Sequence, residues 1–181
     1  MTTLVPPSPL PKRYEGAEYL SLPKKIRDCI ENIKSTRRGI YLWGAVGTGK
    51  TYAVYTIKKQ IQEMGVNVRM YSAPDMFDLI REDFDRKDSY NLERILANRG
   101  VLIIDDLGAE KMSEWIEETM FKIINKRYEE VLPTIITSNN DLESMEERLG
   151  QRIVSRILEM CDVIKLEGGD RRIKNVAKAK I

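Results

Sequence analysis

The stretch Gly44-Ala45-Val46-Gly47-Thr48-Gly49-Lys50-Thr51 constrains this chain more than any other. It carries the G-x-x-x-x-G-K-T spacing of a phosphate-binding loop. A short apolar run, Gly39-Ile40-Tyr41-Leu42-Trp43, stands before it, and a helical pattern follows. The glycines let the backbone curl until its N–H groups point at phosphate oxygens. A side chain at Gly47 or Gly49 would obstruct that approach. Lys50 offers a point charge to the outer phosphates, and Thr51 offers a hydroxyl to a Mg²⁺ ion. A helix opening here adds the positive end of its dipole. Ala45, Val46 and Thr48 complete the loop that would hold a nucleotide's phosphates.

Composition narrows the rest. The chain has 181 residues, enough for one domain with a sizeable core. Lys+Arg 30 against Asp+Glu 28 leaves almost no net charge, so nucleic acid would be met by a local patch rather than a global field. There is no histidine, which excludes His-based acid–base chemistry, Ser-His triads and His-ligated metals. The two cysteines, Cys29 and Cys161, lie far apart among apolar residues at helical spacing and read as small core residues. No apolar run reaches transmembrane length and no signal-peptide pattern is present, so a cytoplasmic protein with no membrane partner is expected.

Four of the seven prolines fall in residues 1–12, which read as an extended tail. A helix is expected over Pro23–Lys34, and another over Lys50–Glu63 stopped by Gly65. Val66–Tyr71 alternates as a strand. Ser72-Ala73-Pro74-Asp75 caps a helix carrying Met76, Phe77, Ile80 and Phe84. A charged loop leads to a short helix with Leu92, Ile95 and Leu96. Val101-Leu102-Ile103-Ile104 is continuously apolar, as a strand buried on both faces must be, and Asp105-Asp106-Leu107-Gly108 follows it. A helix over Ser113–Glu130 precedes a strand at Thr134–Asn139. Helices at Leu142–Arg148 and Gln151–Met160 precede a last strand at Val163–Leu166.

Strands alternating with helices predict an α/β fold with a parallel sheet in a three-layer sandwich. Ligands in such sheets bind at strand carboxyl ends. The phosphate loop, Asp105-Asp106 and Asn139 all fall there, so one site can contain them. Asp105 is the expected Mg²⁺ partner with Thr51. Asp106 is placed to orient the attacking water, although paired acids after a strand also read as a helix cap or a solvated loop. Asn139 can hold the water or the terminal phosphate, or merely form a turn. Arg152 and Arg156 share one helix face a turn apart. Arg156 could supply transition-state charge to a neighbouring subunit's nucleotide, or be a surface arginine.

In this order and spacing, four segments resemble the AAA+ ATPases of the helicase-loader group: DnaC, DnaI and the IstB-type transposition ATPases. They are Gly44–Thr51, Leu102–Gly108, Thr134–Asn139 and Glu147–Ile157. Pro11-Lys12-Arg13-Tyr14 is similar to the segment that opens the ATPase domain there. The resemblance covers roughly residues 11 to 173, and a domain over 13–173 with a basic tail at 174–181 is expected. It implies a P-loop NTPase fold of AAA+ type. It also implies that Lys50 and Thr51 act as the Walker A pair, Asp105 as the Walker B metal ligand and Asp106 in the catalytic glutamate position. Asn139 falls at sensor 1, Arg156 at the arginine finger, and Arg172, in Gly168-Gly169-Asp170-Arg171-Arg172, at sensor 2.

The resemblance further implies assembly through neighbouring ATP sites, a replicative helicase or transposase as partner, and contact with single-stranded DNA. The candidate DNA contacts are Phe77, Arg81, Phe84 and Lys87 on and after the Pro74–Phe84 helix, and Lys111 beyond the Asp-Asp loop. Aromatics beside basic residues suit stacking and phosphate neutralisation. Phe77 and Phe84 also fit an amphipathic core face. Three departures from the group's pattern matter. Asp106 is one methylene shorter than glutamate, so slow hydrolysis is expected. The chain ends at Ile181, before a full helical lid. The residues before Pro11 are too few for the domain that grips a helicase. A non-hydrolysing, ATP-switched adaptor and a small-molecule P-loop kinase are the readings from other classes.

Overall fold

The computed structural model describes residues 11–86 and 89–168, without the side chains of residues 84–86. Five strands form one sheet: β1 (Gly39–Trp43), β2 (Val68–Ser72), β3 (Val101–Leu107), β4 (Thr134–Ser138) and β5 (Cys161–Lys165). Their order is β2-β3-β4-β1-β5 and every pairing is parallel. Eight α-helices flank it among the described residues: α1 (Lys24–Glu31), α2 (Ile33–Thr36), α3 (Lys50–Glu63), α4 (Ala73–Arg86), α5 (Tyr90–Leu96), α6 (Glu114–Glu129), α7 (Leu142–Leu149) and α8 (Gln151–Met160). None of the described helices is long and apolar enough to cross a membrane.

The strands are apolar on both faces because helices cover both faces. Ile40, Leu42, Val101, Ile103 and Ile135 point to one side, where they meet Ile26, Ile30, Ile33, Val54, Ile57 and Ile61. Tyr41, Leu102, Ile104 and Ile136 point to the other, where Phe77, Ile80, Ile95, Met120, Ile124, Met145 and Ile157 pack. Each such side chain contributes about 2 kcal/mol relative to leaving it in water. The result is the three-layer sandwich that the alternating pattern predicts.

Several boundaries differ from expectation. The helix expected over Pro23–Lys34 breaks at Asn32 into α1 and α2. β3 runs on through both acids to Leu107, since Asp105 is paired in the ladder opposite Ser72. The strand expected to open at Val66 opens at Val68. The last strand opens at Cys161, directly after α8, rather than at Val163. Cys161 turns to φ −125°, ψ 148° and pairs with Gly39, so it is a buried strand residue and not a helical one. Cys29 lies at the edge of the core rather than in it. It is half-buried, and its thiol donates to Asp162. Burial, followed by that bond, pushes the Cys29 thiol up to about 11, and burial pushes Cys161 up to about 12.

Candidate nucleotide site

The phosphate loop joins β1 to α3 at the carboxyl end of the sheet. Gly44 must be glycine, because a Cβ there would come within 2.4 Å of the Leu166 carbonyl. Gly49 sits at φ 98° as the residue before α3, a conformation glycine adopts without strain. No side chain caps α3, so its first N–H groups face the loop. Thr48 folds its hydroxyl back on the Ala45 carbonyl at 2.9 Å.

Lys50 lies inside this curl. Its ammonium donates to the carbonyls of Gly44 at 2.7 Å and Ala45 at 3.0 Å, and to Asn139 Oδ1 at 2.7 Å. Asn139 Nδ2 in turn donates to Asp106 Oδ1 at 2.9 Å. The lysine, the amide and the acid therefore form one hydrogen-bonded chain across three strand ends. Asn139 is more than a turn residue, since its side chain links the other two.

The paired acids occupy different environments. Asp105 is 7% exposed and accepts from the Thr137 hydroxyl at 2.6 Å. Burial pushes its carboxyl above the ordinary carboxylate range, and bonds from Thr137 and Thr51 pull it partly back. Asp106 is half-buried at φ 60°, in the left-handed region that a non-glycine residue seldom occupies. Gly108 N–H donates to Glu110, and Arg148 donates to the Gly108 carbonyl at 3.0 Å, which ties down the loop after the acids. Burial raises the Glu110 carboxyl as well.

The Thr51 hydroxyl lies near enough to Asp105 to draw its carboxyl downward. A hydroxyl and a carboxylate are hard oxygen donors, the kind that suit Mg²⁺, which keeps most of its waters. Among the described residues no cluster of three His, Cys, Asp or Glu side chains forms a closed cage for a metal. The donor set therefore fits Mg²⁺ shared with a phosphate better than a structural metal.

The remaining predicted residues are elsewhere. Arg156 on α8 is partly buried against its own α6. Its Nε donates to Asn125 at 2.9 Å, and its guanidinium lies 5.0 Å from the Phe121 ring centroid and 5.5 Å from that of Tyr128. Arg152 lies 4.7 Å over the same Phe121 ring. Phe77 cannot stack on a base in this structure. It is 1% exposed, because positions 73, 76, 77 and 80 of α4 form the stripe that meets the sheet. Phe77 instead packs edge-on against Trp115, 6.0 Å between centroids. Arg81 is exposed, pairs with Asp78 and lies 4.9 Å over the partly exposed Trp115 ring. Lys111 is exposed in the loop before α6. Arg172, Lys87 and the Phe84 side chain lie outside the described residues, as does the segment where a lid was expected to be missing.

Two residues of consequence escaped the sequence reading. Thr137 touches both acids, and its signal was a hydroxyl residue two positions before Asn139 on the strand expected at Thr134–Asn139. Trp115 provides the aromatic face beside Arg81. Its signal was an aromatic one turn before Thr119 and Met120 on the helix expected over Ser113–Glu130.

A family model described as IstB-like ATP binding protein matches residues 22–179. The chain is 24% identical over 168 residues to the replicative helicase loader DnaI of Bacillus subtilis, covering 84% of this chain and 54% of that protein. It is 24% identical over 184 residues to the putative ATP-binding protein of insertion sequence IS5376 from Geobacillus stearothermophilus, covering 95% of this chain and 73% of that protein. Among solved structures, the crystal structure of the DnaC helicase loader superposes with a TM-score of 0.76 at 29% identity, over 87% of this chain and 100% of that one. The chain spans 54 to 60% of the length of the helicase loaders DnaI and DnaC that it matches.

Proposed function

We infer the function of this chain from the family it belongs to, the IstB-like ATP binding proteins, in the AAA+ group that includes the DnaC and DnaI helicase loaders. The chain binds ATP with Mg²⁺ at the carboxyl end of its sheet and hydrolyses it slowly to ADP and phosphate. It acts in the cytoplasm as an accessory to DNA-handling machinery, with a replicative helicase as partner. The observation that carries this reading is the hydrogen-bonded chain Lys50–Asn139–Asp106, next to Asp105 and Thr51.

The residues divide the chemistry between them. The N–H groups of Gly47, Gly49, Lys50 and Thr51 surround the phosphates, and Lys50 exchanges its carbonyl partners for phosphate oxygens. Thr51 and Asp105 would hold Mg²⁺, which would neutralise phosphate charge. Asp106 accepts a hydrogen bond from the attacking water and so aims its lone pair, while Asn139 fixes Asp106 and reads the terminal phosphate. Asp106 reaches one methylene less far than glutamate, which supports slow turnover. Arg156, of a neighbouring copy, supplies charge to the transition state, so the protein self-assembles through its ATP sites. Arg81, over the Trp115 ring, and the exposed Lys111 contact single-stranded DNA.

The IS5376 protein favours a second reading. This chain covers 95% of its own length there against 84% with DnaI, which supports a transposase as the partner instead.

The test is steady-state ATP hydrolysis across protein concentrations, with and without single-stranded DNA. The rate per subunit rises with concentration and with DNA, and Arg156→Ala lowers it by about 100-fold or more while leaving ATP affinity intact. A rate flat in concentration and indifferent to Arg156→Ala removes the role in trans. Tight ATP binding with no turnover would make the chain an ATP-switched adaptor instead.

A further inference from the structure

We propose that Thr137 is a positioning residue that sets the geometry of both site acids through one hydroxyl. The proposal deepens the ATPase reading and rests on it.

The reason lies in the register of β3 against β4. Ile104 pairs with Ile136, but the next pairing is Leu107 with Ser138. Three residues advance on β3 while two advance on β4. The extra residue is a bulge, and it falls at the two acids. Asp106 takes φ 60° there. Its N–H lands on the Thr137 hydroxyl oxygen at 2.8 Å, a side chain standing in for a strand carbonyl. Thr137 is fully buried, so water does not offer a substitute.

That bond fixes the direction of the next one. The hydroxyl oxygen accepts from Asp106 N–H, and its own proton goes to Asp105 Oδ1 at 2.6 Å. One hydroxyl therefore pins the backbone of the water-orienting acid and one oxygen of the metal-binding acid. It holds Asp105 Oδ1 in one orientation, as a cation ligand must be held. Ser138, the next residue, acts in parallel. Its hydroxyl donates to the Leu107 carbonyl at 2.7 Å, closing the far side of the bulge. Orienting partners of this kind typically carry about 10- to 100-fold in metal affinity or activity.

The test uses the full chain with Thr137→Val, which keeps the shape and removes the hydroxyl, and Thr137→Ser, which restores it. Calorimetric ATP binding is measured in EDTA and across a Mg²⁺ titration, together with steady-state hydrolysis. Thr137→Val is expected to raise the Mg²⁺ concentration for half-maximal effect about 10-fold and to lower kcat about 10-fold. Its Mg²⁺-free ATP affinity and its KM stay within about twofold of wild type, and Thr137→Ser behaves as wild type throughout. A valine variant that matches wild type in Mg²⁺ requirement and kcat overturns the proposal. So does one that loses Mg²⁺-free ATP binding to the same degree, or a serine variant as impaired as valine, since these report a structural role only. Should the valine variant fail to fold, Thr137→Cys, similar in size and a weaker donor, replaces it. A wild type that binds MgATP but never turns it over sinks the ATPase reading, while its Mg²⁺ titration still decides the role of Thr137.

Discussion

At the amino end of β3 and β4 a guanidinium lies 1% exposed; at their carboxyl end a carboxylate lies 7% exposed. The first is Arg127 of α6. Its Nε donates to Thr134 at 2.7 Å, and its Nη atoms donate to the carbonyls of Asn98 at 3.0 Å and of Gly100 and Pro133 at 2.7 Å each. Burial lowers its pKa to about 10, which still leaves a cation at neutral pH. Three of those partners are main-chain oxygens that cannot turn away. The second is Asp105, whose neighbourhood is built from side chains: Thr137, Thr51, and beyond them Asp106, Asn139 and Lys50. Thr51, Asn139 and Lys50 can exchange one partner for another, while Thr137 stays fixed. Backbone strain is present near both ends, with Val131 at φ 51° in the turn after Arg127 and Asp106 at φ 60°, so the contrast lies in the partners and not in the backbone. A charge satisfied by fixed carbonyls holds a fold together. A charge satisfied by movable, mutually bonded side chains is arranged for a ligand to rearrange.

Substitutions at the two ends should therefore fail in different ways. Lys50→Ala has the largest effect on function: hydrolysis falls more than about 100-fold, equivalent to about 3 kcal/mol of transition-state stabilisation. Its unfolding midpoint moves little, and a large drop in stability would erase the contrast. Arg127→Met reverses the pattern. Three carbonyls lose their donors, stability falls by about 3 kcal/mol, and ATP affinity at low temperature is unchanged. The midpoint falls by roughly 6–12 °C, read by calorimetry. Asn139→Ala is milder. It releases Lys50 and Asp106 from one another and slows hydrolysis about 10-fold with ATP affinity retained, as single-turnover kinetics would show. Equal loss of affinity and rate there would mean that Asn139 only shapes the pocket.

The two ends also differed in how far the sequence exposed them. The phosphate loop was legible because its chemistry is local: consecutive glycines, a lysine and a threonine must stand side by side to surround a phosphate. Asp105 and Asp106 were legible because four apolar residues before them had to be a buried strand. Thr137 was not, because its role arises from a register slip between two strands far apart in the chain. Arg127 was hidden by its neighbour Lys126, which makes the pair read as a solvated helix end. Its spacing from Met120, Ile123 and Ile124 put it on the buried stripe all the same. Phe77 fitted both roles from spacing, the core face the better of the two, and packing against Trp115 and the sheet bears out the core. Cys161 followed a helical period by coincidence, because α8 passes into β5 without a loop.

The most direct measurement is the thermal midpoint with and without saturating MgATP, for wild type, Lys50→Ala and Arg127→Met. A ligand at about 100 times its dissociation constant adds roughly 2.7 kcal/mol to the state it binds. The account predicts the same rise in midpoint for wild type and for the already weakened Arg127→Met, and none for Lys50→Ala. No rise in wild type, or an undiminished rise in Lys50→Ala, would contradict the assignment of the carboxyl end as the nucleotide site.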